Sequence, residues 1–214
     1  TSWSYANDIY VTQSGASLDL DITQDGQNNT VGNSTTSSAS AGASTTLNID
    51  QVGNSNVITY QINGATYTGV INLVGNSNNV DLNCDSTGNN SSCGTANAVI
   101  NFTGNSNDID LDIGQTSSAN TADVDIVGQS GSDSNVVAAT VDGNSAILTI
   151  TINGDTNNYL IDIDGNGDVN GHTLIHSHTG GTADVDIVQS GINDQYINLT
   201  TSGDNHDIDI QQTD

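Results

Sequence analysis

The run Asp162-Ile-Asp-Gly-Asn-Gly-Asp168 sets Asp162, Asp164 and Asn166 at alternate positions, with Gly167 and Asp168 directly after them. Hard oxygen donors in that order form the first half of a loop that wraps calcium. Thr173 stands where such a loop would close with a bidentate Glu, and the run also fits a strand-and-turn rhythm found elsewhere in the chain. An ordinary strand end and turn is therefore the stronger expectation. His172, His176 and His178 share parity, so a strand would put them on one side. Imidazoles so placed could take up a metal, but no carboxylate is positioned to support them, and a surface histidine cluster is expected. His206 stands alone in a turn. Cys84 and Cys93 flank Asp-Ser-Thr-Gly-Asn-Asn-Ser-Ser. In an oxidising compartment a bridge closing so short a loop stabilises by roughly 2 to 3 kcal/mol, and two free thiols are the alternative.

Catalytic signatures are missing from the sequence. There is no Gly-x-Ser-x-Gly elbow, no His-Glu-x-x-His and no phosphate loop ending in Lys, so no enzyme is expected. The polar side chains whose spacing does suggest a role are amides: Gln13, Gln24, Gln51 and Gln189, with Asn29 and Asn56. Stacked at strand spacing, such amides bond to their copies one layer above and below, which satisfies polar groups that are costly to bury. Solvated turn residues are the alternative.

The composition decides which elements can present these groups. The 214 residues include no Lys, Arg, Pro or Met, and all 25 acidic residues are Asp. Most strong helix formers are thereby missing, while Ile, Val, Thr and Tyr fill the segments between polar turns. At 33% hydrophobic residues a broad globular core is out of reach, which leaves disorder or a narrow repeat. A formal charge of −25 without one basic side chain excludes nucleic-acid binding through a basic patch and disfavours anionic lipid. Cations, sugars or further copies of the chain remain as partners. No segment approaches the roughly 18 apolar residues of a membrane span. The opening Thr-Ser-Trp-Ser-Tyr lacks the features of a signal peptide, so a secreted form is expected to have shed its signal already.

Regular alternation decides for the repeat. Turn glycines fall at Gly15, Gly26, Gly53, Gly64, Gly75, Gly104, Gly131, Gly143, Gly154, Gly165, Gly191 and Gly203, most often 11 or 12 residues apart. Between them apolar residues recur at every second position, as in Leu18, Leu20, Ile22 or Ile109, Leu111, Ile113, with Asp between. Period two means strand, with an apolar face turned inward and carboxylates turned to solvent. Two such arms make a flattened coil of about 22 to 24 residues. The expected fold is all-β: a two-arm β-solenoid of about eight or nine coils with parallel, cross-β-like faces, stacked to roughly 40 Å. A single repeat domain spanning residues 1–214 is expected, with loop insertions near 32–46, 88–95, 114–121 and 179–182.

Gln24-x-Gly26-x-x-Asn29-x-Val31 and Gln51-x-Gly53-x-x-Asn56-x-Ile58 resemble the curlin repeat, and degraded copies follow at Gln13-x-Gly15, Gln189-x-Gly191-x-x-Asp194-x-Tyr196 and Thr201-x-Gly203-x-x-His206-x-Ile208. Leu73 and Phe102 replace the glutamine where the likeness thins. The resemblance implies a secreted subunit of a functional-amyloid fibre at the cell surface or in a biofilm matrix, working with a nucleator and secretion machinery. The residues point the same way on their own account. Ile9-Tyr-Val-Thr-Gln13 and Ile208-Asp-Ile-Gln-Gln212 read as strands near either end, and stacking them head to tail is a heterologous contact that grows filaments. The expectation is thus a homopolymeric extracellular fibre, without nucleic acid, membrane insertion or a required cofactor, and with only weak calcium association at Asp-rich faces. The competing reading is a monomeric β-solenoid adhesin or binding module, calcium-dependent or part of a phage fibre, that displays loops to a sugar or surface.

Overall fold

The computed structural model describes residues 6–11, 13–26, 28–32, 38–53, 55–75, 78–84, 95–104, 106–114, 121–129, 131–143, 145–164, 172–191 and 195–213. Among them there is no helix. The strands are β1 (Ala6–Asp8), β2 (Gln13–Ser14), β3 (Ser17–Asp25), β4 (Asn28–Thr30), β5 (Ser38–Val52), β6 (Val57–Val74), β7 (Asn79–Cys84), β8 (Thr95–Thr103) and β9 (Asp108–Gly114). They continue as β10 (Thr121–Gly128), β11 (Val136–Asp142), β12 (Ser145–Asn153), β13 (Asn157–Asp164), β14 (Thr173–Thr179), β15 (Ala183–Ser190), β16 (Tyr196–Ser202) and β17 (His206–Thr213). Every pairing between them is parallel.

Even-numbered strands from β8 to β16 stack on the second half of β6, and odd-numbered strands from β7 to β17 stack on its first half. The chain therefore winds as a two-faced β-solenoid. β5 and β6 each run through both faces, with Gly42 opposite Gly64 near the bend. The regular part from β6 to β17 amounts to about six turns, and β5 and β3 add two further layers to the face that ends in β16. Turns are longer than 22 to 24 residues in several places: ladder partners lie 22, 27 or 29 residues apart. Of the four expected insertions, residues 85–94 and 115–120 lie outside the described residues, 38–46 belong to β5, and Thr179–Thr182 make a tight turn.

Alternation builds the core. From β8 to β15 buried and outward positions strictly alternate over most of each strand, and the inward ones line up from rung to rung. On one face Ile22, Ile49, Ile71, Ile100, Ile126 and Ile150 form a single column, all buried. Each fully buried isoleucine stabilises by about 2 to 3 kcal/mol over an exposed one, which is how a sparse apolar content sustains a thin stack. In the adjacent column Phe102 is followed by Gly128. A Cβ on Gly128 would lie 2.7 Å from Phe102 Cζ, so the ring occupies the space that glycine leaves empty.

The corners stack backbone on backbone. A Cβ on Gly75 would overlap the carbonyl of Gly53, and one on Gly203, at φ 141°, would overlap that of Gly180. Further along the same turns, Ser106, Ser134, Thr156 and Asn205 adopt left-handed φ of 56–60°, a conformation that costs a residue with a Cβ about 1 to 2 kcal/mol. Outside, along β3, β5, β6 and β8, amides stand next to the carboxylates: Asn48 donates to Asp21 at 2.8 Å, Asn72 to Asp50 at 2.6 Å and Asn101 to Asn72 at 2.8 Å.

Candidate functional site: amide ladders and the terminal rungs

Each left-handed turn residue is followed at once by an inward side chain, and in most turns that residue is asparagine. Asn29, Asn56, Asn78, Asn107, Asn135 and Asn157 occupy one column and are all buried. Asn56 Nδ2 donates to Asn29 Oδ1 at 2.8 Å, Asn78 to Asn107 at 2.6 Å, Asn107 to Asn135 at 2.7 Å and Asn135 to Asn157 at 2.7 Å. The same amides fasten their own corners: Asn107 Nδ2 donates to Gly104 O at 2.6 Å, Asn157 Nδ2 to Gly154 O at 2.8 Å, and Asn135 Nδ2 to Ser132 O. One side chain thus closes a turn and joins it to the next rung. The donor direction reverses between Asn56 and Asn78, where both Oδ1 atoms find no donor.

Sequence reasoning reached Asn29 and Asn56 and missed the other four. Their signal is Gly-x-x-Asn at Gly75, Gly104 and Gly154, with one residue more after Gly131. Requiring a nearby glutamine hid it.

The glutamines form two short ladders. Gln51 Nε2 donates to Gln24 Oε1 at 2.6 Å, while Gln24 Nε2 reaches Thr30 O at 2.9 Å. This ladder stops where Leu73 and then Phe102 take the column, leaving Gln51 Oε1 without a donor. Far along the other face, Gln212 Nε2 donates to Gln189 Oε1 at 2.8 Å. Gln13 pairs through its backbone with Ser40; its side chain lies outside the described residues. Cys84 is buried and disulfide-bonded, and Cys93 lies outside the described residues.

The histidines correct an expectation. His172, His176 and His178 share one side, but it is the inner one: all three are buried. Leu174, at the same parity, was the clue. His176 continues the isoleucine column after Ile150, meets the Tyr159 ring edge-on at 4.3 Å, and offers both ring nitrogens no partner. His178 Nδ1 is 2.9 Å from Tyr159 Oη and its ring is 5.3 Å from that of His206, which opens β17 instead of standing alone in a turn. Burial pushes His176 down to about 4, helped by His178. It lowers His178 and His172 as well. No group of three or more metal-binding side chains occurs among the described residues.

Asp162 and Asp164 end β13 and turn outward; Asn166 and Asp168 lie outside the described residues. Across the rung Asp164 faces Asp142. Burial, then Asp164 and Asp162, push Asp142 up to about 7. Because the folded state holds that proton where the unfolded chain has lost it, stability falls as pH rises from about 4 through 7. Asp142→Asn is expected to remove that slope and to stabilise the protein by about 1 kcal/mol at pH 8, after allowance for partial solvent screening. Urea unfolding from pH 4 to 8 measures it, and an unchanged slope would assign the effect elsewhere.

The last rungs show inward faces that have lost their cover. Among the described residues β16 pairs only with β14, β17 only with β15, and β3 only with β5. Val185 and Ile187 are 0% and 1% exposed, yet Ile208 and Ile210, their successors in the same columns, are 38% and 47% exposed. At the opposite end Leu18 and Leu20 are only partly buried.

Comparison of the chain with protein-family models, with curated proteins and with solved structures gives no match. Its function is therefore argued from its own residues.

Proposed function

We propose that the chain is the structural subunit of an extracellular, curli-like fibre, adding head to tail through its terminal rungs to build cell-surface or biofilm-matrix filaments. The observation that carries this reading is the half-exposed inner face of the last rung. Ile208 and Ile210 are core residues by register and surface residues by exposure, and the rung that would cover them is of the kind the chain already stacks on itself. Unpaired parallel edges are templates for another strand, and a contact between unlike ends does not close. The Gln-x-Gly-x-x-Asn arms, similar to the curlin repeat, favour the same reading. A nucleator and secretion machinery are then the expected partners, with no required cofactor, and calcium acts only by screening outward carboxylates.

Electron microscopy of the purified 214-residue chain tests this. Filaments with a subunit rise of roughly 40 Å are expected, the length of one stack at strand spacing, forming faster in acid or with added calcium as carboxylate repulsion falls. A monodisperse monomer under low salt, acid and calcium alike would sink the proposal and leave the monomeric binding module.

A further inference from the structure

We infer that successive copies of the chain join with a half-turn between them, so that β1 of the next copy is laid on β16 and β3 of the next copy on β17. The inference rests on the proposed head-to-tail fibre and specifies its joint. Winding demands the rotation. β1 stacks on β4, and the same arm meets the first half of β6, where the Val31 N–H donates to Val57 O at 3.1 Å. β17 belongs to that same face through β15. The described strands thus open and close on one face, and the next place in the winding after β17 lies on the other, over β16. An unrotated copy brings its first arm to a place that β17 already fills. A copy turned by half a revolution about the stack axis brings β1 to the place over β16 and β3 to the place over β17, with every strand still parallel.

The inner faces then match position by position. In both arms the last inward side chain stands two residues before the corner glycine: Gln24 before Gly26 and Gln51 before Gly53 on one face, Gln189 before Gly191 on the other. Aligning the arms on that position sets Ile208 on Leu20, Ile210 on Ile22 and Gln212 on Gln24 of the next copy, with His206 on Leu18 as the one unlike pair among them. On the other face Ile197 takes Ile9 and Leu199 takes Val11. The corner Gly203 takes Gly15, as Gly203 itself sits on Gly180. In the single chain all of these aliphatics except Ile22 are half-buried or exposed.

The glutamines single out the half-turn. Gln189 and Gln212 stand at the tail and Gln24 and Gln51 at the head, on opposite faces of one molecule. Rotation brings the two short ladders into one column. Their polarity agrees: Gln212 Nε2 donates back to Gln189 Oε1 at 2.8 Å, and Gln51 Nε2 back to Gln24 Oε1 at 2.6 Å. Gln24 Nε2 gives one hydrogen to Thr30 O and keeps a second, which in the joint goes back to Gln212 Oε1. Four amides then form one unbroken ladder of the cross-β kind. A shift of one residue turns every inward side chain outward, and a shift of two sets a glutamine on an isoleucine.

Outside, β16 brings Tyr196 to Asp8 and Asn198 to Tyr10, and no carboxylate meets another. β17 brings Asp207 to Asp19 and Asp209 to Asp21, which extends the oppositions of Asp184 with Asp207 and Asp186 with Asp209 inside the molecule. The joint closes against like charge that acid or calcium relieves, the conditions under which faster growth is expected.

The experiment compares two double variants of the 214-residue chain, Thr23→Cys/Gln211→Cys and Thr23→Cys/Thr200→Cys, oxidised mildly after assembly. All three positions are exposed. Position 211 faces position 23 across a half-turn joint, whereas position 200 faces it where β16 lies on β3 without rotation. Residues directly opposed across parallel strands stand within disulfide reach, and residues offset by two do not. Disulfide-linked multimers are expected to form at least about tenfold faster from the first variant than from the second or from the offset control Thr23→Cys/Asp209→Cys. Filaments that link faster through position 200 or 209, or that do not link through 211, would overturn the half-turn and leave the fibre standing. Absence of filaments from the parent chain would overturn both.

Discussion

Asn107→Ala is expected to destabilise the protein by about 3 kcal/mol, whereas Asn97→Ala, on the exposed side of β8, should change stability by less than about 0.5 kcal/mol. Asn107 is 1% exposed, donates to Gly104 O and Asn135 Oδ1, and accepts from Asn78 Nδ2. Alanine removes these bonds together with the one that Asn107 Oδ1 accepts from Asn78 N and strands the Gly104 carbonyl at a half-buried corner, and each orphaned group costs about 1 to 3 kcal/mol. Because a solenoid is held by nearest-neighbour contacts, the loss should be local. Hydrogen exchange is expected to rise most in β7, β9 and β11 and little in β15. Denaturant midpoints check the first statement and exchange the second; equal midpoints for the two variants would reduce the ladder to decoration.

Replacing His176 with isoleucine should stabilise the protein by about 1 to 2 kcal/mol at pH 7 and by more in acid. At neutral pH two unpartnered ring nitrogens are exchanged for the side chain that fills the rest of the column, against which stands the loss of an edge-on contact with Tyr159 worth about 1 kcal/mol. The acid effect follows from the direction of the shift. Folded His176 titrates near 4 and the unfolded side chain near 6.5, so the unfolded chain binds the extra proton and stability falls as pH drops through that window. The full effect is about 3 kcal/mol. His172 and His178, lowered by burial, act in the same sense, while Asp142 acts in the opposite one. Comparing His176→Ile with Asp142→Asn by urea unfolding from pH 4 to 8 separates the two. A parent and a His176→Ile variant with parallel profiles would mean that the imidazole takes up its proton without opening the core.

Period-two alternation carried the fold class because in a strand it has one meaning: the Asp-Ile-Asp-Leu-Asp runs can only put aliphatics inside and carboxylates outside. The spacing of turns was less legible. Residues per coil depend on insertions that widen corners without altering the strands, and so coils of 27 and 29 residues stand among those of 22. For the histidines, parity was readable and sidedness was not. Three imidazoles suggest a surface until Leu174 between them is given weight. The asparagine column was written as Gly-x-x-Asn in every turn except the one after Gly131, but Gln and Asn fill separate columns that can be lost independently. Leu73 and Phe102 end the glutamine ladder without disturbing Asn78 or Asn107. Which rungs lie in register, and hence that residues 22 to 29 apart touch, follows only from the three-dimensional winding.

Phe102 over Gly128 shows that the rungs are not interchangeable parts. The ring intrudes on the space of the layer that follows, and that layer carries glycine at the point of intrusion, while the layer beyond carries Ile152. Excising the rung that contains Gly128 would drive Phe102 into Ile152, and duplicating it would leave an unfilled gap. The order of these rungs is in this way fixed by packing, and a larger residue at position 128 calls for a smaller one at position 102.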